Sequence, residues 1–515
     1  MTGKIEHPEQ GSDPQNIRAL LESRAQANPD KHFLFSETDG RRFTYGEFDA
    51  AVNRAARMLA ARGISKGDAV SLLMPNCAEY VIAYFACFKL GALAGPVNSL
   101  LKAEEISYVI GNSEAKALLV NSQFLPKVEN LSGELKHTIV FDDEAEATRE
   151  FTEGNLPTPT IEKDDEAIII YTSGTTGKPK GCLLTHGNVI ANARQITEWL
   201  GFTERDCLLT VMPLFHMNAV SVTTMTPLYA GASTVVSPKF SASRFWQIIS
   251  DYEITSFGSV ATMLSMLLST YPEGVPAGLK TAQLRFAMCG SAPVPSEVLK
   301  RFEETFNCLV IEGCGLSEST CRSTFNPPDA RRRPGSCGMP IGNEMKVVDD
   351  SDQEVGDGEL GEIVLRGENI LKGYYKNSEA TEHAFRNGWF HTNDIGYRDS
   401  DGFFYIVDRK SDMIIRGGEN IYPREIDEVL FKHPSVAAAA TIGVPDKLYG
   451  EEVAAFIVLK DGAKATEEEI INFCREHLAD YKCPKTVHFV QDIPKGPTGK
   501  LLKRELAKQY ALTQD

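Results

Sequence analysis

The chain has 515 residues, of which 42% are hydrophobic and 24% charged, with 70 acidic against 53 basic side chains and a net charge of −17. This negative balance argues against general binding to nucleic acid or to anionic membranes, so any recognition of phosphate must be local. The composition is that of a globular protein, and the length exceeds what one hydrophobic core fills, which predicts at least two domains.

The eleven cysteines are scattered without CxxC pairs, as expected for reduced thiols of a cytosolic protein. The N-terminal residues are polar and lack the apolar stretch of a signal peptide. The most apolar region, from Tyr80 to Pro96, is interrupted by Lys89 and is too short to span a bilayer, so it predicts a buried helix and turn. We therefore expect a cytoplasmic protein without an integral membrane segment.

The first two-thirds of the chain alternates short β-rich runs with amphipathic helical patterns. This alternation favours an α/β fold of mostly parallel sheets flanked by helices, with ligands at the carboxyl ends of the strands. The predicted strands are Ala69–Met74, Lys116–Val120, Ala167–Tyr171, Leu208–Val211, Ser233–Ser237 and Leu284–Met288. The predicted helices are Ala78–Leu90, Gly187–Leu200, Ser243–Tyr252 and Ser296–Phe306.

Short strands and turns dominate from about Glu344 to Asp408, as in a small β-rich subdomain. The remaining chain mixes helical and strand patterns, which predicts a small α+β domain. We place the boundary at Lys410–Ser411, so that residues 1–410 form the N-terminal domain and residues 411–515 the C-terminal domain. The elements predicted after Glu344 are strands Lys346–Val348, Gly361–Leu365, Phe403–Val407, Ala437–Ile442 and Val453–Leu459, and helices Pro423–Lys432 and Glu467–Leu478.

The segment Tyr171–Gly181 is the most informative motif. It combines glycines, four hydroxyl side chains and two lysines directly after a buried-strand pattern. Such a loop brings backbone amides, hydroxyls and positive charge close to an anion, which predicts contact with a polyphosphate-like group. It is not a Walker A loop, because Thr172 replaces the first glycine of that motif and Pro179 follows Lys178. The alternative, a disordered linker, fits poorly after a strand.

Four further segments carry groups suited to a nucleotide and an acid: Pro213–His216, Glu312–Thr320, Gly388–Asp394 and Pro494–Lys500. Together with the first loop, and in the same order, they make most of the chain similar to the adenylate-forming superfamily of acyl-CoA synthetases, carrier-protein loading domains and luciferases. The resemblance implies that a carboxylate attacks the α-phosphate of Mg-ATP to give an acyl-adenylate and pyrophosphate. CoA thiolate then displaces AMP.

The resemblance also implies a nucleotide site. Its phosphate loop would grip the β- and γ-phosphates, and Glu318 matches the acid that holds Mg²⁺. Asp394 and Arg409 match ribose contacts, and Lys500 matches the lysine at the developing charge between carboxylate and α-phosphate. The residues implied in catalysis are Lys500, His216, Thr175 and Glu318. Those implied in nucleotide binding are Thr172, Ser173, Gly174, Thr175, Thr176, Gly177, Lys178, Gly290, Ser291, Ala292, Pro293, Glu312, Gly313, Cys314, Gly315, Leu316, Ser317, Asp394, Arg409 and Lys500.

Taken alone, these residues have simpler interpretations. His216 would be a core histidine, Glu318 a carboxylate at a helix start, Asp394 a turn residue and Lys500 a solvated charge. The neighbouring motif residues, not the residue types, favour the functional interpretation.

The acyl pocket is implied to be gated by His216 and walled by residues 216–222, 257–263, Gly290 and the segment after Glu318. The residues expected to contact the acid are His216, Val220, Gly258, Val260 and Arg322. Segment Cys321–Thr324 is polar for a fatty-acid channel. We predict that Arg322 pairs with a second anionic group on a short acid, such as a dicarboxylate or sulfonate. The alternative is a salt bridge to a carboxylate at the pocket rim.

Two positions depart from the family pattern. Cys314 stands where an aromatic residue usually stacks on adenine, so we expect an altered nucleotide pose or weaker ATP binding. Ser411 stands at the pivot of the rotating C-terminal domain, where relatives usually carry Asp or Lys. The motion is still expected, because a small residue absorbs a change in φ and ψ, but its energetic bias is open.

The segment Arg416, Gly417, Gly418 and Glu419 is implied to contact CoA in the thioester-forming state, with the two glycines letting pantetheine pass close to the backbone. For an isolated Gly-Gly pair, a simple hairpin turn is the alternative.

These expectations combine into an AMP-forming acid–CoA ligase with ATP and CoA as substrates and Mg²⁺ as cofactor. Its expected partners are small molecules and not nucleic acid, and assembly into a homodimer stays open. Three alternatives stay open: a carrier-protein loading enzyme, a non-catalytic nucleotide-binding protein, and a monooxygenase that uses the adenylate.

Overall fold

A computed structural model of the protein describes residues 14–129, 131, 135–172, 179–290, 296–495 and 501–512. Two seven-stranded sheets form the larger part of the fold. In spatial order, the first sheet contains Leu309–Glu312, Phe286–Cys289, Ser256–Ser259, Cys207–Thr210, Ser233–Val236, His32–Ser36 and Arg42–Thr44. The second contains Gly373–Tyr374, Lys180–Thr185, Glu166–Thr172, Leu93–Pro96, Ala69–Leu73, Ala117–Val120 and His137–Val140.

Most neighbouring strands in these two sheets are parallel, as predicted. The exceptions lie at the edges. Arg42–Thr44 pairs antiparallel with His32–Ser36 in the first sheet. In the second sheet, Lys180–Thr185 is antiparallel to both of its neighbours, Glu166–Thr172 and Gly373–Tyr374. The two strands that flank the expected phosphate loop in the sequence are therefore antiparallel neighbours.

A third, antiparallel sheet follows the two larger sheets along the chain, as the β-rich pattern predicted. It contains Glu344–Val348, Gly361–Arg366, Trp389–Arg398, Phe385–Arg386 and Phe404–Arg409. A short ladder joins Thr324–Phe325 to Met339–Pro340. The C-terminal sheet contains Glu419–Ile421, Ile414–Arg416, Gly450–Leu459, Val436–Asp446 and Thr486–Phe489.

Helices cover the sheets, and several begin or end where local chemistry requires. Thr44 caps the helix Tyr45–Ala61 with Glu47 in a capping box, and the helix His186–Leu200 ends at Gly201 with φ +63°. The α-helices are Ile17–Ala27, Tyr45–Ala61, Ala78–Leu90, Ala103–Asn112, Glu144–Ala147, His186–Leu200, Thr226–Ala230, Ala242–Asp251, Ala261–Thr270, Ser296–Phe306, Ser378–Ala384, Pro423–Lys432, Glu467–Arg475 and Lys503–Leu512. Residues Asn218–Met225 form a π-helix. Single 3₁₀ turns are Ser122–Lys127, Arg149–Phe151, Ser317–Ser319 and Asp480–Lys482.

The helix Ala78–Leu90 is buried along its whole length, as its apolar sequence predicted. Lys89 is buried with it, and its ammonium group contacts Glu22 at 2.8 Å and Asp49 at 2.7 Å. Burial of a lysine is tolerated when the charge is paired in this way. In the described part of the chain, none of the helices is both long and apolar enough to cross a bilayer.

The apolar cores of the described residues divide along the chain. Two clusters contain residues before 407, and two others contain residues after 413. The predicted domain boundary, Lys410–Ser411, falls in the interval between them.

Candidate active site

Four adjacent parallel strands of the first sheet end at one edge, where several of the expected ligand-binding residues follow. Gly313 follows the strand Leu309–Glu312, Gly290 follows Phe286–Cys289, and Val260 follows Ser256–Ser259. His216 lies shortly after Cys207–Thr210. The carboxyl edge of an open α/β sheet is the usual position of a ligand site, and we call the region at this edge the cleft.

Arg322 is buried in this cleft, with 2% of the residue exposed. Its Nη1 donates to the Gly313 carbonyl oxygen at 3.2 Å, and the guanidinium lies over the Phe325 ring with Cζ 5.2 Å from the centroid. Nε and Nη2 are buried without a hydrogen-bond partner among the described residues. The expected alternative, an ion pair at the pocket rim, is therefore not formed with any described carboxylate.

Gly290 allows Arg322 to occupy this position. A Cβ atom at residue 290 would overlap the guanidinium, coming within 2.7 Å of Cζ and 2.6 Å of the Gly313 oxygen. The side chain of Arg322 thus lies directly against the backbone at the end of a central strand, and only glycine leaves it room.

Three more polar groups of the cleft lack partners among the described residues: His216 Nε2, both polar atoms of the Asn218 side chain, and Ser323 Oγ. Burial lowers the pKa of His216 to about 4, so the ring is neutral at physiological pH. Asn218 and Ser323 belong to the segments predicted to wall the acyl pocket, but they were not among the residues expected to contact the acid. Their residue types and positions gave only a general polar signal, because the absence of a partner is visible only in the folded structure.

Val220 and Val260 are both buried. Val220 lines a small apolar space with Val81, Phe85 and Leu214, on the side of the helix Ala78–Leu90. Its contact with the acid stays a prediction.

Glu318 is half-buried beside the hairpin that bears the phosphate loop. The Tyr374 hydroxyl donates to Glu318 Oε1 at 3.1 Å, and Tyr374 lies on the short strand next to Lys180–Thr185. Lys180 Nζ is 5.4 Å from the centroid of the Tyr374 ring. These contacts hold a carboxylate next to the base of the loop. Tyr374 carries no motif that would have marked it in the sequence.

The backbone between Glu318 and Arg322 is strained. Thr320 has φ +64°, a region that β-branched residues rarely adopt. Its hydroxyl donates to the Asn369 carbonyl oxygen at 2.7 Å, which helps to hold this conformation. On either side of this turn, Glu318 contacts Tyr374 and Arg322 contacts Gly313.

Asp394 and Arg409 are cross-strand partners in the third sheet. Arg409 Nε lies 2.8 Å from Asp394 Oδ1, and the Asp394 carboxylate raises the pKa of Arg409. The two residues expected at the ribose are thus held together as a charged pair.

Cys314 lies next to a second thiol, that of Cys337. The Thr324 hydroxyl joins their backbones, accepting from Cys314 N at 3.1 Å and donating to the Cys337 carbonyl oxygen at 2.6 Å. The hydrogen bond between the two thiols and their burial raise the pKa of Cys314. Its neighbour Gly315 packs so closely on Cys321 that a Cβ would overlap the Cys321 carbonyl oxygen. Leu316 and Ser317 lead from here into the turn that carries Glu318.

Glu312 is a buried carboxylate whose Oε2 accepts a hydrogen bond from Gly335 N at 3.0 Å. Burial raises the pKa of Glu312 to about 7, against an ordinary value of about 4.3. Between these values the folded protein keeps a proton that the unfolded chain has lost, so the stability contributed by protonated Glu312 falls as the pH rises.

Between pH 5 and pH 8, the wild-type protein is expected to lose about 2 to 3 kcal/mol of unfolding free energy as Glu312 is deprotonated. The Glu312→Gln variant should not show this loss, because glutamine stays neutral at both pH values. Chemical denaturation of both proteins at the two pH values measures this difference. Glu344→Gln is the matched control, since Arg366 holds the pKa of exposed Glu344 below its ordinary value and no change is expected in this window. If the free energy of unfolding depended on pH equally in the two variants, the raised pKa of Glu312 would be contradicted.

The segment predicted to contact CoA is a two-residue β-hairpin. Arg416 pairs with Glu419 across Gly417 and Gly418, whose φ values are +60° and +93°. The glycines are exposed, and the Arg416 guanidinium lies 4.0 Å from the centroid of the Tyr449 ring. The segment is therefore a hairpin turn, as the alternative interpretation stated, and its contact with CoA stays a prediction.

Several predicted residues lie outside the described part of the chain: Ser173, Gly174, Thr175, Thr176, Gly177, Lys178, Ser291, Ala292, Pro293 and Lys500. Thr172 is described, and its hydroxyl lies 3.9 Å from the Cys182 sulfur at the base of the hairpin.

Comparison with known families places this cleft in context. Residues 21–375 match the family described as AMP-binding enzyme, and residues 425–500 match the AMP-binding enzyme C-terminal domain. The chain belongs to this adenylate-forming superfamily, and it is an AMP-forming acyl-CoA synthetase.

Its relatives act on different acids. A sulfoacetate–CoA ligase of Cupriavidus necator is 36% identical over 95% of this chain and 97% of its own length. The long-chain-fatty-acid–CoA ligase FadD13 of Mycobacterium tuberculosis is also 36% identical, over 97% of this chain and 99% of its own. The structure of o-succinylbenzoate CoA synthetase from Bacillus subtilis, in complex with its acyl-adenylate intermediate, has a TM-score of 0.86 at 34% identity and covers 96% of this chain and 98% of that one. Overall sequence identity to these relatives therefore does not indicate which acid this chain uses.

Proposed function

We propose that the protein activates a short acid bearing a second anionic group, and that Arg322 binds that group. The observation that carries this proposal is the state of the guanidinium, which is 2% exposed and has two donors without a partner among the described residues. A buried cation is costly unless it is paired, and a carboxylate or sulfonate matches the planar, forked donors of arginine.

A long alkyl chain suits this cleft poorly. It would leave Arg322 Nε and Nη2 buried without a partner, whereas an anionic group would accept a hydrogen bond from each of these donors. Asn218 and Ser323 add buried polar atoms that an alkyl chain would equally leave unpaired. The sulfoacetate–CoA ligase, whose named substrate has a second anionic group, is a relative at 36% identity, but so is a long-chain ligase. The argument therefore rests on the cleft and not on identity.

ATP and CoA are the co-substrates expected of the family. We propose that Glu318 holds the Mg²⁺ of Mg-ATP. This cation is usually bound by one or two carboxylates together with phosphate oxygens and water, so a single carboxylate at the base of the loop fits. The metal would neutralise the phosphates. Asp394 and Arg409 would contact the ribose, and Glu312, Gly313, Cys314 and Gly315 the base.

The reaction then proceeds in two steps. The reacting carboxylate of the acid attacks the α-phosphorus, the bond to the β-phosphate oxygen breaks, and pyrophosphate leaves. In the second step the CoA thiolate attacks the acyl carbon, and AMP leaves with the bonding electron pair. Neutral His216 lies beside the cleft and offers an uncharged hydrogen-bonding group to the acyl end. Lys500 and the Arg416–Glu419 hairpin are assigned to the first and second step.

Pyrophosphate release tests this function. We expect release with short dicarboxylates and sulfonated acids, CoA-dependent thioester formation, and little release with fatty acids of matched or greater length. Strong preference for long monoacids would contradict the substrate class, and silence with every acid would contradict the enzymatic assignment. Acyl transfer to a carrier protein but not to CoA would favour the loading enzyme instead.

A further inference from the structure

The side chain of Asn218 is buried next to the acyl cleft. It lies at the start of the π-helix Asn218–Met225 and is 6% exposed. Neither Oδ1 nor Nδ2 has a hydrogen-bond partner among the described residues. Buried polar atoms are nearly always paired, and π-helical segments are frequent at functional sites, so this amide needs a ligand or a specific role.

Other contacts place Asn218 on the same cleft as Arg322. A Cβ atom at Gly258 would lie 3.0 Å from Asn218 Oδ1, and the strand of Gly258 pairs with the strand that ends just before Gly290. Asn192 joins the π-helix to Arg322, because its Oδ1 accepts from the Ser221 hydroxyl at 2.9 Å and from the Arg322 amide at 3.3 Å. The unpaired amide and the unpaired guanidinium therefore border one cleft.

The chemistry of a carboxamide narrows the group it recognises. It offers two donors on Nδ2 and an acceptor on Oδ1. A carboxylate or sulfonate accepts from Nδ2 but has no proton to give to Oδ1. A hydroxyl on the adjacent carbon supplies that proton, so an anionic group with a neighbouring hydroxyl pairs with both atoms of the amide at once.

We propose that the second anionic group of the acid carries a hydroxyl on its adjacent carbon, and that Asn218 selects this hydroxy acid. Nδ2 donates to an oxygen of the anionic group, and Oδ1 accepts the hydroxyl proton. This inference rests on the proposed function, since Arg322 binds the same anionic group from its other side.

Four acids of one carbon skeleton separate the two claims. Butyrate, 3-hydroxybutyrate, succinate and malate combine the presence or absence of a second carboxylate with that of a hydroxyl. We expect kcat/KM for pyrophosphate release to be at least about tenfold higher for malate than for succinate, because a site built to bond a hydroxyl rejects the analogue without it. Asn218→Leu, which keeps the size but not the amide, is expected to bring this ratio close to one.

Thr224→Val is the matched control. It removes a hydroxyl from the same π-helix, but Thr224 Oγ1 bonds to the Ala219 carbonyl oxygen within that helix. The preference for malate should persist. Asn218→Asp is a second variant in case the leucine variant misfolds, since it keeps the shape of the side chain and an acceptor. Repulsion between its carboxylate and the second carboxylate of malate should lower activity on malate more than on 3-hydroxybutyrate.

The outcomes are distinguishable. If succinate exceeds butyrate but malate does not exceed succinate, the hydroxyl inference is overturned and the proposed function stands. If the hydroxyl raises activity and the second carboxylate does not, the role of Arg322 is overturned, and so is the pairing of Asn218 Nδ2 with an anionic group. Activity on some other acid with none on these four overturns both.

Discussion

Arg322→Met is expected to abolish the preference for acids with a second anionic group. Breaking a buried, hydrogen-bonded charge pair typically costs about 3 to 5 kcal/mol, which corresponds to roughly 10²- to 5 × 10³-fold in kcat/KM for a dicarboxylate. Activity on a monoacid of equal length should be unchanged or higher, because the cleft becomes apolar. Steady-state pyrophosphate release with succinate and butyrate measures both effects.

Stability provides a second measurement of the same variant. Two donors of the guanidinium have no partner among the residues that the structure describes, so its replacement by a side chain of similar length should raise Tm. Arg332→Met is the control: this arginine lies outside the cleft and contacts Glu303 at 2.7 Å, so its loss should lower Tm and leave acid preference intact. An equal loss of activity on all acids in the Arg322 variant would refute the pairing.

Glu318→Gln is expected to reduce adenylate formation by at least about 10²-fold, because the neutral amide replaces the carboxylate that we propose to bind Mg²⁺. Thioester formation from a pre-formed acyl-adenylate and CoA involves no pyrophosphate and should be largely retained. Comparing the two half-reactions therefore separates a metal role from general damage to the fold.

Tyr374→Phe is the matched control for this prediction. It removes only the hydroxyl that donates to Glu318, so the carboxylate keeps its charge and loses one orienting contact. We expect an effect of about tenfold or less on adenylate formation. If the glutamine and phenylalanine variants were equally impaired, orientation and not charge would explain the role of Glu318.

Much of the fold could be predicted because its signals are local. Helices Ala78–Leu90, Ser296–Phe306 and Pro423–Lys432 have the predicted bounds, since apolar periodicity depends on neighbouring residues. Several elements were missed, such as the strands Leu93–Pro96 and Lys180–Thr185, and the latter begins within the loop motif, at Lys180 and Gly181.

The candidate site was predicted only in part. Motifs marked Glu318, Asp394 and Arg322, but not what these side chains contact. Arg322 depends on Gly290, thirty-two positions earlier, and Glu318 contacts Tyr374, fifty-six positions later. Such pairs come together through sheet topology, which single-sequence patterns do not encode. The unpaired amide of Asn218 likewise follows from burial and not from residue type.

The division of the apolar cores has a consequence for substrate selection. Asn218, Gly290 and Arg322 lie in the part of the chain with the first pair of cores, whereas the hairpin at Gly417 lies with the second pair. The residues proposed to select the acid and the hairpin proposed to bind the thiol substrate therefore lie in parts of the chain with separate apolar cores. Under these assignments, a few substitutions among the residues of the first part would change the acid and leave the thiol partner unchanged.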